Sequence, residues 1–142
     1  MVTLQWGTAI GYDILAFDKR GTVAFLEVKS TASHRRAWIL QKKFAHPEND
    51  PIPVARRFVC CVDLTVSDTA PNVYVFPAQV VARGLHYFYG GRFSRSPSYT
   101  LRLDEKPRGR TRDASAVTVG AHIEAQRYLE AFNTLGITAV LK

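Results

Sequence analysis

Gly11-Tyr12-Asp13-Ile14-Leu15-Ala16-Phe17 and Thr22-Val23-Ala24-Phe25-Leu26-Glu27-Val28-Lys29-Ser30, joined through Asp18-Lys19-Arg20-Gly21, decide how this chain folds. Both segments are apolar enough for central strands. The link fits a three-residue hairpin loop, a type I turn followed by glycine in the left-handed region. That register sets Phe17 beside Val23 and Asp13 beside Glu27. Side chains alternate along a strand, so Glu27 and Lys29 share a face, and Asp13 joins them from the opposite strand. Val23 and Phe25 on that face are apolar, as are Ala24, Leu26 and Val28 on the other. Apolar residues on both faces mark an interior strand. This weighs against the plainer reading, in which Glu27 and Lys29 are a solvated pair on a half-exposed strand.

Ionisable groups inside such strands are costly unless something pairs with them. Residues opposed across a hairpin have Cβ atoms about 4.5–5.5 Å apart, and like charges there destabilise the sheet. Two unit charges about 5 Å apart repel by roughly 3 kcal/mol at an effective dielectric of about 20. A divalent cation between Asp13 and Glu27 turns that repulsion into binding. Hard carboxylate oxygens suit Mg²⁺, with Mn²⁺ able to substitute. Lys29, two residues beyond Glu27, is then placed to orient or deprotonate a water, or to stabilise charge as a phosphodiester is attacked.

Asp13, thirteen intervening residues, and then Glu27-Val28-Lys29 resemble the PD-(D/E)XK nuclease superfamily, the restriction-endonuclease-like and Holliday-junction-resolvase-like fold. The resemblance implies an αβββαβ core, Mg²⁺-dependent phosphodiester cleavage and a DNA substrate. It also implies roles: Asp13, Glu27 and the backbone carbonyl of Val28 as metal ligands, and Asp13, Glu27 and Lys29 as the catalytic set. Downstream, Trp38-Ile39-Leu40-Gln41, the strand Arg57–Leu64 and Val73-Tyr74-Val75-Phe76-Pro77 are similar to small restriction-like members, with Gln41 as an auxiliary residue. That core normally opens with a helix, often carrying a glutamate, and only twelve residues precede Asp13.

The C-terminal segment is one candidate for that helix. Residues 120–136 carry helical periodicity through Ile123, Tyr128, Leu129, Phe132 and Leu135, with Gly136 as a C-cap and residues 137–141 as a following strand. In a permuted or swapped arrangement Glu124 lies near the metal as an auxiliary ligand. The plainer alternative is an amphipathic helix packed on the sheet. A homodimer or another partner chain is the other source of a missing helix.

The expected fold class is therefore α/β: one domain over residues 1–142, with a central mixed sheet flanked by helices. At 46% hydrophobic, the chain suffices for one core. Other expected elements are a strand at 2–6, a strand or helix start at 37–43, and a loop at 47–53. Core strands are expected at 57–64 and 73–76, a helix at 78–84 opened by Pro77, and a strand at 99–103 between loops. No apolar run reaches membrane-spanning length, and Met1–Gly7 lacks the features of a signal peptide. Cys60 and Cys61 are neighbours in a buried strand and cannot easily bridge each other. They read as reduced core residues of a cytoplasmic protein. His34, His46, His86 and His122 lack ligand spacing.

The net charge of +7 favours a polyanion. Arg92, Arg95, Arg108, Arg110 and Arg112 follow the aromatic run His86-Tyr87-Phe88-Tyr89 and the flexible Gly90-Gly91. Arg35, Arg36, Lys42 and Lys43 follow the Lys29 strand. Bases interleaved with aromatics suit DNA phosphates and stacking, although such runs also occur as plain solvated faces. The expected function is a Mg²⁺-dependent DNA endonuclease. The alternative is a nucleic-acid-binding or interaction module that retains the fold without cleaving.

Overall fold

The hairpin turn closes as its residues dictate. In a computed structural model, which describes residues 12–67, 69–90, 93, 96–109 and 115–136, β1 (Ile14–Phe17) and β2 (Val23–Thr31) pair antiparallel with Phe17 opposite Val23. The Gly21 N–H donates to the Asp18 carbonyl at 3.0 Å, and Gly21 has φ +78°, where a Cβ would be strained. The Asp18 carboxylate accepts the N–H groups of Arg20 and Thr22 at 2.9 and 3.0 Å. Desolvation draws the Asp18 pKa upward, but the bonds to Thr22 and Arg20 and the Arg20 charge together outweigh it and leave it lowered.

The chain continues through β3 (Ala37–Gln41), β4 (Arg57–Asp63), β5 (Asn72–Pro77), α1 (Ala78–Tyr89), β6 (Ser98–Arg102) and a short α2 (Val119–His122). A four-stranded mixed sheet has the order β1-β2-β4-β5, with β2 and β4 parallel and the outer pairs antiparallel. The result is a small α/β domain with a mixed sheet and few helices. β3 and β6 form a separate antiparallel ribbon, which resolves the choice left open at residues 37–43 as a strand through Gln41 followed by a 3-10 turn, Lys42–Phe44.

Alternation along β4 and β5 divides the core. Val59, Cys61, Tyr74 and Phe76 face α1 (Val81, Leu85, Phe88) and the inward side of the ribbon (Trp38, Leu40, Tyr99, Leu101). Phe58, Cys60 and Val75 join Ala16, Ala24 and Leu26 on the opposite face, with Leu135 packed against them. The Trp38 indole N–H donates to the Val62 carbonyl at 3.1 Å and ties the ribbon to the sheet. Gly84 allows close packing there, since a Cβ would lie 3.1 Å from Leu101 and 3.3 Å from Ile123.

Three expectations change. First, α1 runs to Tyr89 instead of ending near residue 84. Leu85 and Phe88 continue its buried stripe, and Gly90 (φ 62°) caps it with an N–H bond to the His86 carbonyl at 2.9 Å. The run His86–Tyr89 is thus the last helical turn and Gly90 a cap. Second, no helix spans 120–136. α2 stops at His122, short 3-10 turns occupy Ala125–Tyr128 and Phe132–Leu135, and Glu124 and Glu130 adopt φ of 53° and 55°. The edge of β5 overrides the helical pattern: the Glu130 N–H donates to the Val73 carbonyl at 2.7 Å, and Leu129 bridges Tyr74. Gly136 keeps its cap role, at φ 66° on the last 3-10 turn. Third, the loop at 47–53 contains a 3-10 turn, Pro47–Asn49. The expected strands at 2–6 and 137–141 lie outside the described residues.

Both cysteines are buried and unbridged. Burial pushes the Cys60 thiol up to about 11 and holds the Cys61 thiol well above its ordinary value too. Because the thiolate is the nucleophile, iodoacetamide at pH 8 should label neither residue in the folded protein and both in urea. Mass spectrometry showing rapid labelling under native conditions would contradict this packing.

Candidate functional site

The β1–β2 ladder is regular up to Ile14 opposite Leu26. Just before it, the Asp13 N–H donates to the Leu26 carbonyl at 3.0 Å. A regular antiparallel ladder would next join Val28 N–H to the carbonyl of residue 12. Instead the Asp13 carboxylate takes the Val28 N–H, with Oδ2 at 2.7 Å. Asp13 is therefore exposed at the end of the hairpin, not enclosed within it. N–H and C=O of one strand residue point to the same side, so the Val28 carbonyl lies on the β1 side of β2, as its N–H does.

Glu27 lies on β2 between β1 and β4 and is 4% exposed. Its Oε1 accepts the Lys29 ammonium at 2.7 Å, and the Lys29 side chain is about one-third exposed. Glu27 thus has its partner within the strand, and Lys29 carries that pair to the surface. The Asp13 and Glu27 carboxylates and the Val28 carbonyl are oxygen donors of the kind that a hard divalent cation takes. One hydrogen bond uses one of the roughly four lone-pair positions of a carboxylate, so Asp13 and Glu27 keep acceptor capacity for such an ion. Among the described residues no group of three or more His, Cys, Asp or Glu side chains gathers around one point; a set that includes a backbone carbonyl is of a different kind.

Lys29 opens onto a cleft of about 470 Å³, with Arg35, Ile39, Thr100 and Arg102 on its walls. Arg35 and Arg102 also line two adjoining clefts of about 370 and 310 Å³, the first reaching Lys106 and Arg108. The two basic patches, distant in sequence, meet here because β3 pairs with β6 and sets Ala37 opposite Arg102. Glu105 tempers the charge, 3.2 Å from Arg102 and 3.8 Å from Arg35. Such exposed pairs are weak.

Other expected DNA contacts have different surroundings. Arg36 is bound to Asp104, with Nε 3.1 and 3.2 Å from its oxygens, and donates to the Tyr74 hydroxyl at 2.8 Å. The Arg36 hydrogen bonds hold Asp104 below its ordinary pKa. Arg36 is thus a strut between ribbon and sheet. Lys43 sits over the Tyr12 ring, 4.1 Å from its centre, while Lys42 and Gln41 are exposed at the end of β3. Glu124 is exposed and pairs with Arg127 at 2.6 Å, and the segments around it pack on α1 and β5. Arg92, Arg95, Arg110 and Arg112 lie outside the described residues.

Sequence reasoning missed a buried anchor beside Asp13. The Tyr12 hydroxyl donates to Asp50 Oδ2 at 3.0 Å, and Arg57, 1% exposed, lies 3.5 Å from the same carboxylate. Arg57 also donates to the Pro47 carbonyl. Burial, then the Asp50 hydrogen bond, pushes the Tyr12 phenol up to about 12. Burial also draws the Asp50 pKa upward, but the Ile52 N–H, the Tyr12 hydroxyl and the charges of Arg57 and Lys43 outweigh it and leave it lowered. The anchor fixes the residue immediately before Asp13. An arginine opening an apolar strand was its signal in the sequence.

Comparison with protein-family models, curated proteins and solved structures finds no match to this chain. Among the described residues, no helix is long and apolar enough to cross a membrane.

Proposed function

We infer that this protein is a Mg²⁺-dependent DNA endonuclease with a PD-(D/E)XK-type site on a restriction-endonuclease-like core. One observation carries the reading: Lys29, ion-paired at 2.7 Å to the buried Glu27, faces a cleft walled by Arg35 and Arg102. An ammonium beside a carboxylate at the mouth of a basic cleft suits a reaction in which a phosphodiester gains negative charge.

Asp13, Glu27 and the Val28 carbonyl would hold the ion, which supplies acidification of water and neutralisation of developing charge. Glu27 fixes the direction of the Lys29 ammonium. Lys29 then orients the attacking water and stabilises charge on the phosphate, while Arg35 and Arg102 hold the backbone. The Tyr12–Asp50–Arg57 anchor keeps Asp13 at the end of β1. Two buried reduced thiols suit a cytoplasmic protein.

The test combines cleavage and metal binding. Purified protein is incubated with supercoiled, linear, single-stranded and branched DNA in Mg²⁺, Mn²⁺ or EDTA. Cleavage is expected only with metal. Calorimetric titration of Mn²⁺ should show a site in wild type that Asp13→Ala lacks. Equal Mn²⁺ binding by both proteins would refute the ligand assignment. DNA binding without cleavage under any metal would establish the non-cleaving module instead.

A further inference from the structure

The β3–β6 ribbon has a buried side and an outward side. Trp38, Leu40, Tyr99 and Leu101 point into the core, whereas Ile39 and Gln41 on β3 and Thr100 and Arg102 on β6 point away from it. Ile39 is 67% exposed, the most exposed large apolar side chain among the described residues. It stands opposite Thr100, and Gln41 stands opposite Ser98. Isolated exposed apolar residues are ordinary. This one shares the Lys29 cleft with Arg35 and Arg102.

We propose that the outward side of the β3–β6 ribbon enters the major groove of duplex DNA, with Ile39 and Thr100 against thymine methyl groups and Gln41 on a base edge. The proposal deepens the endonuclease reading and rests on its choice of DNA as the ligand. A two-stranded ribbon fits a groove about 12 Å wide, where thymine alone offers a methyl and glutamine can pair with adenine. Positive charge surrounds the apolar centre: Lys29, Arg35 and Arg102 line the cleft, and Lys42 follows Gln41. Arginines and lysine then hold phosphates and set register, while the ribbon reads bases. Groove entry by the ribbon would bring the adjoining backbone to Lys29.

Fluorescence anisotropy in EDTA tests this without requiring cleavage. The probes are duplex pools of one randomised composition, synthesised with thymine or with uracil, which lacks the methyl. Wild type should prefer the thymine pool by about fourfold for each methyl contact, the factor for burying one such group. Ile39→Ser with Thr100→Ser should bind both pools equally, and Ile39→Ser alone should lose one contact's share of the preference. Because Ile39 is exposed, its circular dichroism and unfolding midpoint should match wild type. Arg102→Ala should weaken both pools alike and lower the slope of log affinity against log salt by about 0.9. Equal binding of the two pools by wild type, or a thymine preference that Ile39→Ser does not reduce, would overturn the proposal. Cleavage assays on the same proteins keep the two readings apart. Cutting without a thymine preference removes the ribbon's role and leaves the endonuclease, whereas a preference without cutting does the reverse. Absence of DNA binding removes both.

Discussion

Lys29→Ala should lower the rate of DNA cleavage by about 10²–10³-fold, the range for losing one preorganised group that stabilises developing charge. Most DNA affinity should remain, because one charge among several contributes one phosphate contact. The substitution also strips the ammonium from Glu27, whose side chain is only 5% exposed, so the folded state should lose stability as well. Lys29→Gln separates the two effects, since its amide can still donate to Glu27 but cannot carry the charge. Both variants should be equally inactive, with Lys29→Gln the more stable. Initial rates at saturating DNA, below the unfolding midpoint of each protein, are the measurement. Cleavage by Lys29→Gln at the wild-type rate would eliminate the assigned role.

The largest stability change is expected at the anchor behind the site. Asp50→Ala should destabilise the fold by about 3–5 kcal/mol, because it leaves a buried guanidinium without its carboxylate. The Arg57 side chain is 1% exposed, and its Nε has no hydrogen-bond partner among the described residues. Replacing the pair together, as Asp50→Leu with Arg57→Met, should cost much less. Urea unfolding at pH 7 distinguishes these outcomes; a double variant as unstable as Asp50→Ala would show that the pair itself contributes the stability. The pH dependence has a definite sign. The folded-state pKa of Asp50 is lowered from 3.8, so its contribution is complete above that value and is lost as pH falls through the lower folded value. Asp18 and Asp104 are lowered too, so acid unfolding is shared. Asp50→Asn should therefore remove part of the acid limb and leave the neutral plateau of the curve flat.

Local chemistry made the hairpin legible. Asp18 and Gly21 specify a turn through their own side chain and backbone, and the register followed from them. β4 and β5 were legible because their buried runs match period two on both faces. The site was legible only in part. Glu27 and Lys29 share a face by alternation alone, whereas the exposed position of Asp13 depends on a ladder that its own carboxylate interrupts. The meeting of Arg35 with Arg102 was hidden, since it depends on which strand pairs with β3. Helical periodicity misled at residues 120–136, because Val73 of β5 offers a backbone acceptor that competes for the Glu130 N–H.

That competition has a second result. An outer strand exposes a row of unsatisfied backbone groups, a template on which another chain can add. Leu129 and Glu130 occupy part of that row on β5, with the Glu130 side chain also accepting the Val73 N–H at 3.4 Å. Two copies of this protein therefore cannot join through that stretch of β5 unless each first releases its own C-terminal segment, which makes the segment a stopper against sheet extension and aggregation.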